Sequence, residues 1–132
     1  MQYDRLNDFL LSLPGAEKDY KAEWDWVRYR VAEKMFAALC TPDEKHGVYG
    51  GHPLLQLKCD PQESEFLRAQ HPDILPGFYA DKRCWIAIFL DGAVPEPEVR
   101  RLCAASYALV FKKLTKKQRL TISEQKNGGS DV

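Results

Sequence analysis

The residues most suggestive of binding chemistry lie in the segment PGFYADKRCW, residues 76–85. A proline-glycine pair, typical of turns, precedes two aromatic residues, and Lys82 and Arg83 stand just before Trp85. Cations that contact phosphates and rings that stack on bases are the usual means of binding nucleic acid. A β-hairpin whose rings pack inward and whose cations stay hydrated has the same composition, so both interpretations remain open at this point.

Two predicted strands place further cations on one face of a sheet. The alternation from Trp24 onward separates Val27, Tyr29 and Val31 from their polar neighbours, and LLQLKC does the same with Leu55 and Leu57. We therefore expect one uncovered sheet face, extended at its hairpin by Lys82 and Arg83, to carry Trp26, Arg28, Arg30, Gln56 and Lys58. Such a face could follow a phosphate backbone, although lysine and arginine stems also cover ordinary exposed sheets.

The remaining elements predict an α+β protein. Apolar spacing indicates a helix from Tyr3 to Leu13, a polar connection over 16–23 and a strand formed by MFAALC. Asp60 as N-cap and Pro61 begin a second helix, which ends near Gln70, and the last helix runs from Pro95 or Pro97 to Leu114. With strands at 77–80 and in WIAIFL, the order is α-β-β-β-α-β-β-α, a two-layer sandwich with a mainly antiparallel sheet and helices on one face. Burial beneath the first and last helices is expected for Val27, Tyr29, Leu55, Leu57, Ile86 and Ile88.

Length and charge favour one globular domain with a basic tail. The 132 residues fit a single domain over 1–114, followed by a flexible segment over 115–132 with disorder at NGGSDV. The net charge of the chain is zero, but residues 111–132 contain six Lys/Arg and only two Asp/Glu. Such an excess of cations is also typical of the C-terminal end of a helix, where the helix dipole favours positive charge. No apolar stretch is long enough to cross a bilayer, and the start MQYDRLND does not resemble a signal peptide, so a cytoplasmic protein is expected.

Nothing in the residue pattern predicts catalysis, a cofactor or a metal. No glycine-rich phosphate motif, nucleophile elbow or acid/base pair occurs. Asp4 and Asp8, one helical turn apart, are typical of solvated surface. The cysteines are scattered without metal-ligand spacing, so we expect free thiols and no metal site at Cys40, Cys59, Cys84 and Cys103.

Several stretches together resemble the MmcQ/YjbR family from the first helix to about Leu114: LPGAEKDY, VRYRVAEKMFA, SYALVFKKL and the long run LLQLKCDPQESEFLRAQHPDILPGFYADKRCW. Lys34, Met35 and Phe36 match the family's GKMF turn, although Ala32-Glu33 replaces the usual Gly-Gly. Lys58 to Pro61 match its KCDP, and the 76–85 segment matches PGYHxNKxHW. In that last motif Tyr79 and Cys84 replace histidines and Asp81 replaces asparagine, which adds a negative charge beside the cations.

The resemblance implies a frataxin-like, CyaY-like fold and a "double wing" DNA-binding role, with the 76–85 hairpin as one wing. Phe78 and Trp85 are expected to pack in the interior rather than stack on bases. The candidate phosphate contacts are then Arg28, Arg30, Lys34, Lys58, Lys82 and Arg83, in weak and sequence-indifferent binding. Two alternatives remain: a protein–protein interaction module that uses the same face, and frataxin-like metal binding, which the sparse acidic residues of the first helix disfavour.

Overall fold

The protein is built on one six-stranded antiparallel sheet. A computed structural model describes residues 2–130. The strands are β1 (Ala16–Lys21), β2 (Trp26–Val31), β3 (Lys34–Cys40), β4 (Leu54–Lys58), β5 (Ile74–Pro76) and β6 (Trp85–Phe89), and they lie in the order β1-β2-β3-β4-β6-β5. The helices are α1 (Tyr3–Ser12), α2 (Pro61–Gln70), α3 (Glu96–Phe111) and α4 (Lys116–Ser130), and a 3-10 segment spans Glu44–Tyr49. The predicted α+β class is therefore confirmed.

The main core lies between the helices and one face of the sheet. Leu55, Leu57, Ile86 and Ile88 are fully buried, as is Tyr29, whereas Val27 is only partly buried at the margin of the same core. Leu6 and Leu10 of α1 and Val99 and Leu102 of α3 contact this face. The predicted strand phases are thus confirmed, because period-two alternation of apolar residues reports which side of a strand meets the core.

Two elements differ from the sequence-based expectation. Residues 16–21, predicted to be a polar connection, form the edge strand β1, which pairs with β2 in antiparallel register from Ala16 opposite Val31 to Lys21 opposite Trp26. The predicted strand at 77–80 is wrong, because the segment that pairs with β6 is Ile74–Pro76. An exposed edge strand needs no apolar face, so β1 lacked the pattern by which the other strands were identified.

The chain after Leu114 is helical where the sequence predicted a flexible tail. Helix α4 covers Lys116–Ser130, and Ile122, only 7% exposed, joins the main core. A Cβ atom added at Gly15 would lie 3.2 Å from the Ile122 side chain, so α4 packs against the turn between α1 and β1. The predicted disorder at residues 131 and 132 lies outside the described residues. Within residues 2–130, no helix combines the length and the apolar character required to cross a bilayer.

The tight turn between β2 and β3 holds two non-glycine residues at positive φ, Ala32 at 47° and Glu33 at 68°. A two-residue hairpin turn that matches the twist of its strands requires positive φ at both central positions. Side chains with a Cβ atom adopt this conformation at a cost of roughly 1–2 kcal/mol each. The turn is therefore strained.

We predict that Glu33→Gly stabilises the protein. Glu33 is exposed, so the substitution relieves left-handed strain and costs only the extra freedom that glycine has in the unfolded chain. The free energy of unfolding, measured with urea, should rise by about 0.5–1 kcal/mol. The matched control Glu65→Gly lies at an exposed position of α2 with ordinary helical geometry, and there the free energy should fall by about 1 kcal/mol. A loss of stability in Glu33→Gly would contradict the strain argument.

Candidate nucleic-acid interface

The sheet face opposite the main core, here called the far face, is not open. A second core of buried residues covers its centre: Trp26, Ala38, Cys40, Leu54, Phe78 and Ala87. It is covered by the 3-10 segment Glu44–Tyr49 and by residues 77–84, here called the covering loop. The expectation that Trp26 and Gln56 project from an uncovered face is therefore wrong, since they are 6% and 0% exposed. Their strand phase was correct, but the loops that bury them left no periodic pattern in the sequence.

The buried amide of Gln56 fastens the covering loop to the sheet. Its Oε1 accepts a hydrogen bond of 2.7 Å from the backbone N–H of Phe78, and its Nε2 lies 3.9 Å from Sγ of Cys40. Opposite Gln56 in the register stand Ala38 on β3 and Ala87 on β6. These two small side chains leave room above the sheet, which the ring of Phe78 and the Gln56 amide fill.

The 76–85 segment consequently folds back on the protein. A Cβ atom at Gly77 would lie 2.8 Å from the Cβ of Trp85, so the close approach of the two chains requires glycine. Phe78 is 8% exposed, which confirms the expectation that its ring packs. Lys82 Nζ donates to the Gly77 carbonyl at 3.0 Å and lies 5.7 Å from the centroid of the Tyr49 ring. The segment therefore forms a compact loop rather than an extended hairpin arm.

Three of the predicted cations, Arg28, Arg30 and Arg83, form salt bridges with carboxylates. Arg28 donates two hydrogen bonds to Asp19, of 2.8 and 2.6 Å, and Arg30 lies 3.1 Å from the same carboxylate. The bidentate Arg28 contact lowers the pKa of Asp19 and raises that of Arg28. At the covering loop Arg83 contacts Asp81 through its backbone N–H at 2.9 Å and its guanidinium at 3.3 Å. These contacts lower the pKa of Asp81, and the side-chain bond raises that of Arg83.

Asp19 is not among the residues predicted from the sequence, because residues 16–21 were not predicted to form a strand. The alternation of AEKDYK places Glu17, Asp19 and Lys21 on one face, and this was the available signal. The register then sets Asp19 directly opposite Arg28. Two arginines that share one carboxylate leave a local charge of one rather than two, so this part of the far face is a weaker phosphate site than the count of cations implied.

The other two predicted cations, Lys34 and Lys58, lie at the opposite end of β3 from Cys40. Burial and the positive charges of Lys113 and Lys34 lower the pKa of Lys58, so the Lys58 ammonium group is close enough to each of the other two to be repelled by it. Within the part of the chain that the structure describes, none of the three has a carboxylate within salt-bridge distance. We call this group, Lys34, Lys58 and Lys113, the lysine end.

A buried serine positions the lysine end. Ser106 on α3 is fully buried, and its Oγ accepts a hydrogen bond of 2.8 Å from the Lys58 N–H. The same hydroxyl donates to the Phe36 carbonyl at 2.5 Å. One side chain thus joins α3 to both β3 and β4. It fixes α3, which ends two residues before Lys113, relative to the strand end that carries Lys58.

Three of the four cysteine side chains are buried. Cys40, Cys59 and Cys103 are buried, Cys84 is half-buried, and all four are free thiols. Burial raises the pKa of Cys40 and Cys103 to about 12 and that of Cys59 to about 11, so these groups are neutral at pH 7. Within residues 2–130, no three side chains of the metal-binding types converge on a common site.

The Asp19 ion pairs should make stability depend on pH. The folded pKa of Asp19 is below its ordinary value of 3.8, so the contribution is fully present above pH ~4 and is lost as the pH falls below that value. We predict that Asp19→Asn lowers the free energy of unfolding at pH 7 and at pH 5. The difference in this free energy between the variant and the original protein should become smaller at pH ~3. Urea unfolding at the three pH values measures this. The control is Glu17→Gln on the same strand. If Asp19→Asn lowered the free energy of unfolding by the same amount at all three pH values, the pH dependence could not be assigned to the Asp19 ion pairs.

Comparisons with known proteins agree with this fold. The family model described as YjbR matches residues 11–109. Escherichia coli YjbR is 28% identical over 119 residues, which is 90% of this chain and 95% of the relative, and Bacillus subtilis YyaQ is 41% identical over 72% of this chain and 86% of its own length. A Deinococcus radiodurans crystal structure described by the domain DUF419 has a TM-score of 0.76 and 30% identity, covering 91% of this chain and 86% of that one. A Pseudomonas syringae crystal structure has a TM-score of 0.71 and 27% identity, covering 83% and 98%. By its sequence and by its fold, the chain belongs to the YjbR family.

Proposed function

We propose that the protein binds DNA through phosphate contacts at the lysine end, and that it acts as a binding protein rather than an enzyme. The observation that carries this proposal is the convergence of Lys34, Lys58 and Lys113 without a carboxylate partner among the described residues. A phosphate placed beside these groups would relieve the repulsion of Lys58 by the other two lysines and offset the cost of burying Lys58. An arginine that already contacts a carboxylate, in contrast, would have to break that contact before it could bind a phosphate.

The surroundings of the lysine end support the same proposal. Lys112 precedes Lys113 at the end of α3, and Lys116 and Lys117 begin α4 only a few residues later. Lys82 lies in the covering loop, whose last residues lead into Trp85, opposite Lys58 in the register. The basic residues after Phe111 therefore lie next to Lys58 and close to the end of the covering loop, which carries Lys82. Among the six predicted contacts we retain Lys34, Lys58 and Lys82, and we assign Arg28, Arg30 and Arg83 a minor share.

The experiment is a fluorescence-anisotropy titration of a labelled DNA duplex at several salt concentrations. A protein that neutralises three phosphates loses affinity with salt at a log-log slope of about −2.7, which is roughly 40-fold between ~50 and ~200 mM salt. We predict that Lys34→Gln combined with Lys113→Gln makes the slope shallower by about 1.8. Both side chains are exposed, so the double variant should fold normally.

The matched control is Arg5→Gln combined with Arg101→Gln. It removes the same charge, but Arg5 contacts Glu96, and Arg101 contacts Glu98 and Glu63. The control should keep the slope of the original protein. An equal loss in both double variants would mean that net charge alone attracts the duplex. No binding at ~50 mM salt, where such contacts are strong, would retire the DNA proposal and leave the protein-partner alternative.

A further inference from the structure

A cavity of about 590 Å³ lies on the far face, at the other end of β3 from the lysine end. Four parts of the chain meet there: the turn between β1 and β2, the end of β3 at Cys40, the following residues 41–46, and the tip of the covering loop. The volume lies within the range of sites that bind small organic molecules. None of the candidate phosphate contacts lines this cavity, so it is separate from the proposed DNA site.

Aromatic rings form much of the cavity wall. Trp26 and Phe78 belong to the second core at its base, whereas Trp24 and Tyr79 are 52% and 77% exposed. The centroids of Trp24 and Trp26 are 5.4 Å apart, and those of Phe78 and Tyr79 are 4.7 Å apart, both pairs edge to face. His46 also lies edge-on to Phe78 at 5.2 Å. Rings set at such angles present both edges and negative faces to the space between them.

The charged groups of the cavity are carboxylates. Glu23, Asp25 and Asp43 line it, and no lysine or arginine does. Asp25 accepts a hydrogen bond of 2.5 Å from the Tyr20 hydroxyl, and in the described part of the chain it forms no salt bridge. Glu23 has a long contact of 3.7 Å with the half-buried Lys21. Asp43 lies 3.9 Å from the exposed Lys45 and 3.7 Å from Nε2 of His46, which also lines the cavity. An anion would therefore meet repulsion here and a cation would meet attraction.

Cations from outside the cavity already contact one of the rings. Lys21 Nζ is 5.4 Å and the Arg28 guanidinium carbon 5.7 Å from the centroid of Trp24. Among residues 2–130, no such contact is made to Trp26, Phe78 or Tyr79. The exposed ring of Tyr79 is therefore available to a ligand, and the small exposed parts of Trp26 and Phe78 form the base of the cavity. Aromatic faces combined with nearby carboxylates are the arrangement that binds ammonium groups.

We propose that this cavity binds an organic cation, a protonated or quaternary amine that carries an apolar substituent. The ammonium group lies against the rings of Tyr79 and Phe78 within reach of Asp25, and the substituent contacts Trp26 and fills the remaining volume. Aromatic faces attract the charge of such a group, while its alkyl surface loses water to the rings.

The test uses choline, benzyltrimethylammonium and 3,3-dimethylbutan-1-ol, followed by amide and indole signals in two-dimensional NMR. The alcohol has the shape of choline without its charge. We expect saturable shifts at Trp24, Trp26 and Tyr79, choline binding roughly tenfold more tightly than the alcohol, and benzyltrimethylammonium more tightly than choline because it buries more apolar surface. Equal affinity for choline and the alcohol, shifts elsewhere, or no saturation by benzyltrimethylammonium would overturn the proposal. Tighter binding of phenylacetate than of benzyltrimethylammonium would also overturn it.

Two variants assign the effect to named groups. Asp25 and Tyr79 have positive φ of 57° and 50°, and asparagine tolerates that conformation, so Asp25→Asn and Tyr79→Asn should keep the backbone. Each should weaken benzyltrimethylammonium binding several-fold, and Asp25→Asn should leave the affinity for the alcohol unchanged. Asp8→Asn and Phe66→Ala remove an exposed carboxylate and a 60% exposed ring elsewhere and should change neither affinity. Undiminished cation binding in Asp25→Asn and Tyr79→Asn would show that the cavity is not the site.

Discussion

The hydrogen bond between the buried Gln56 side chain and the backbone of Phe78 governs the far face of the sheet. A buried amide without a partner costs about 1–3 kcal/mol, so this bond strongly favours the closed covering loop over a detached one. Once the loop is closed, Phe78 fills the space above Ala38 and Ala87 and completes the second core. A sheet that would otherwise have one wet face has a core on each side. The centre of the far face is thus closed, and its two ends remain accessible.

The two ends differ in charge, although the chain as a whole is neutral. At one end Lys34 and Lys113 repel Lys58, and at the other end carboxylates line an aromatic cavity. Between them Asp19 neutralises much of the charge of Arg28 and Arg30. Because screening limits exposed charges to a range of about 8–10 Å, each end acts on a ligand largely by itself. Zero net charge therefore says little about what the protein binds; the distribution of its unpaired charges says more.

The parts of the fold that follow local rules could be predicted from the sequence. Asp60 caps α2 by accepting from the N–H groups of Gln62 and Glu63, as its position before Pro61 implied. The apolar phases of β4 and β6 were equally clear. The candidate site was harder, because its residues are brought together from distant positions. Lys113 reaches Lys58 only after α3 has crossed the sheet, and Ser106, which sets that crossing, has no distinguishing neighbours in the sequence. Gln56 looked exposed for the same reason: its partner lies 22 positions away.

Positive φ values occur for different reasons in the β2–β3 hairpin turn and in the covering loop. At Ala32-Glu33 the positive φ values follow from the two-residue connection between paired strands, and any sequence in that hairpin must accept them. Tyr79 also has positive φ, yet it belongs to no hairpin of this kind, and its neighbour Phe78 is held by Gln56. The anchored backbone turns the Tyr79 ring outward to the cavity, where it is 77% exposed, while Phe78 is buried. A strained residue that leaves a large ring in water lowers stability in the unbound protein. A ligand that covers the Tyr79 ring would remove its apolar surface from water and so offset part of this loss of stability. This is the physical reason to expect a ligand at this end of the sheet.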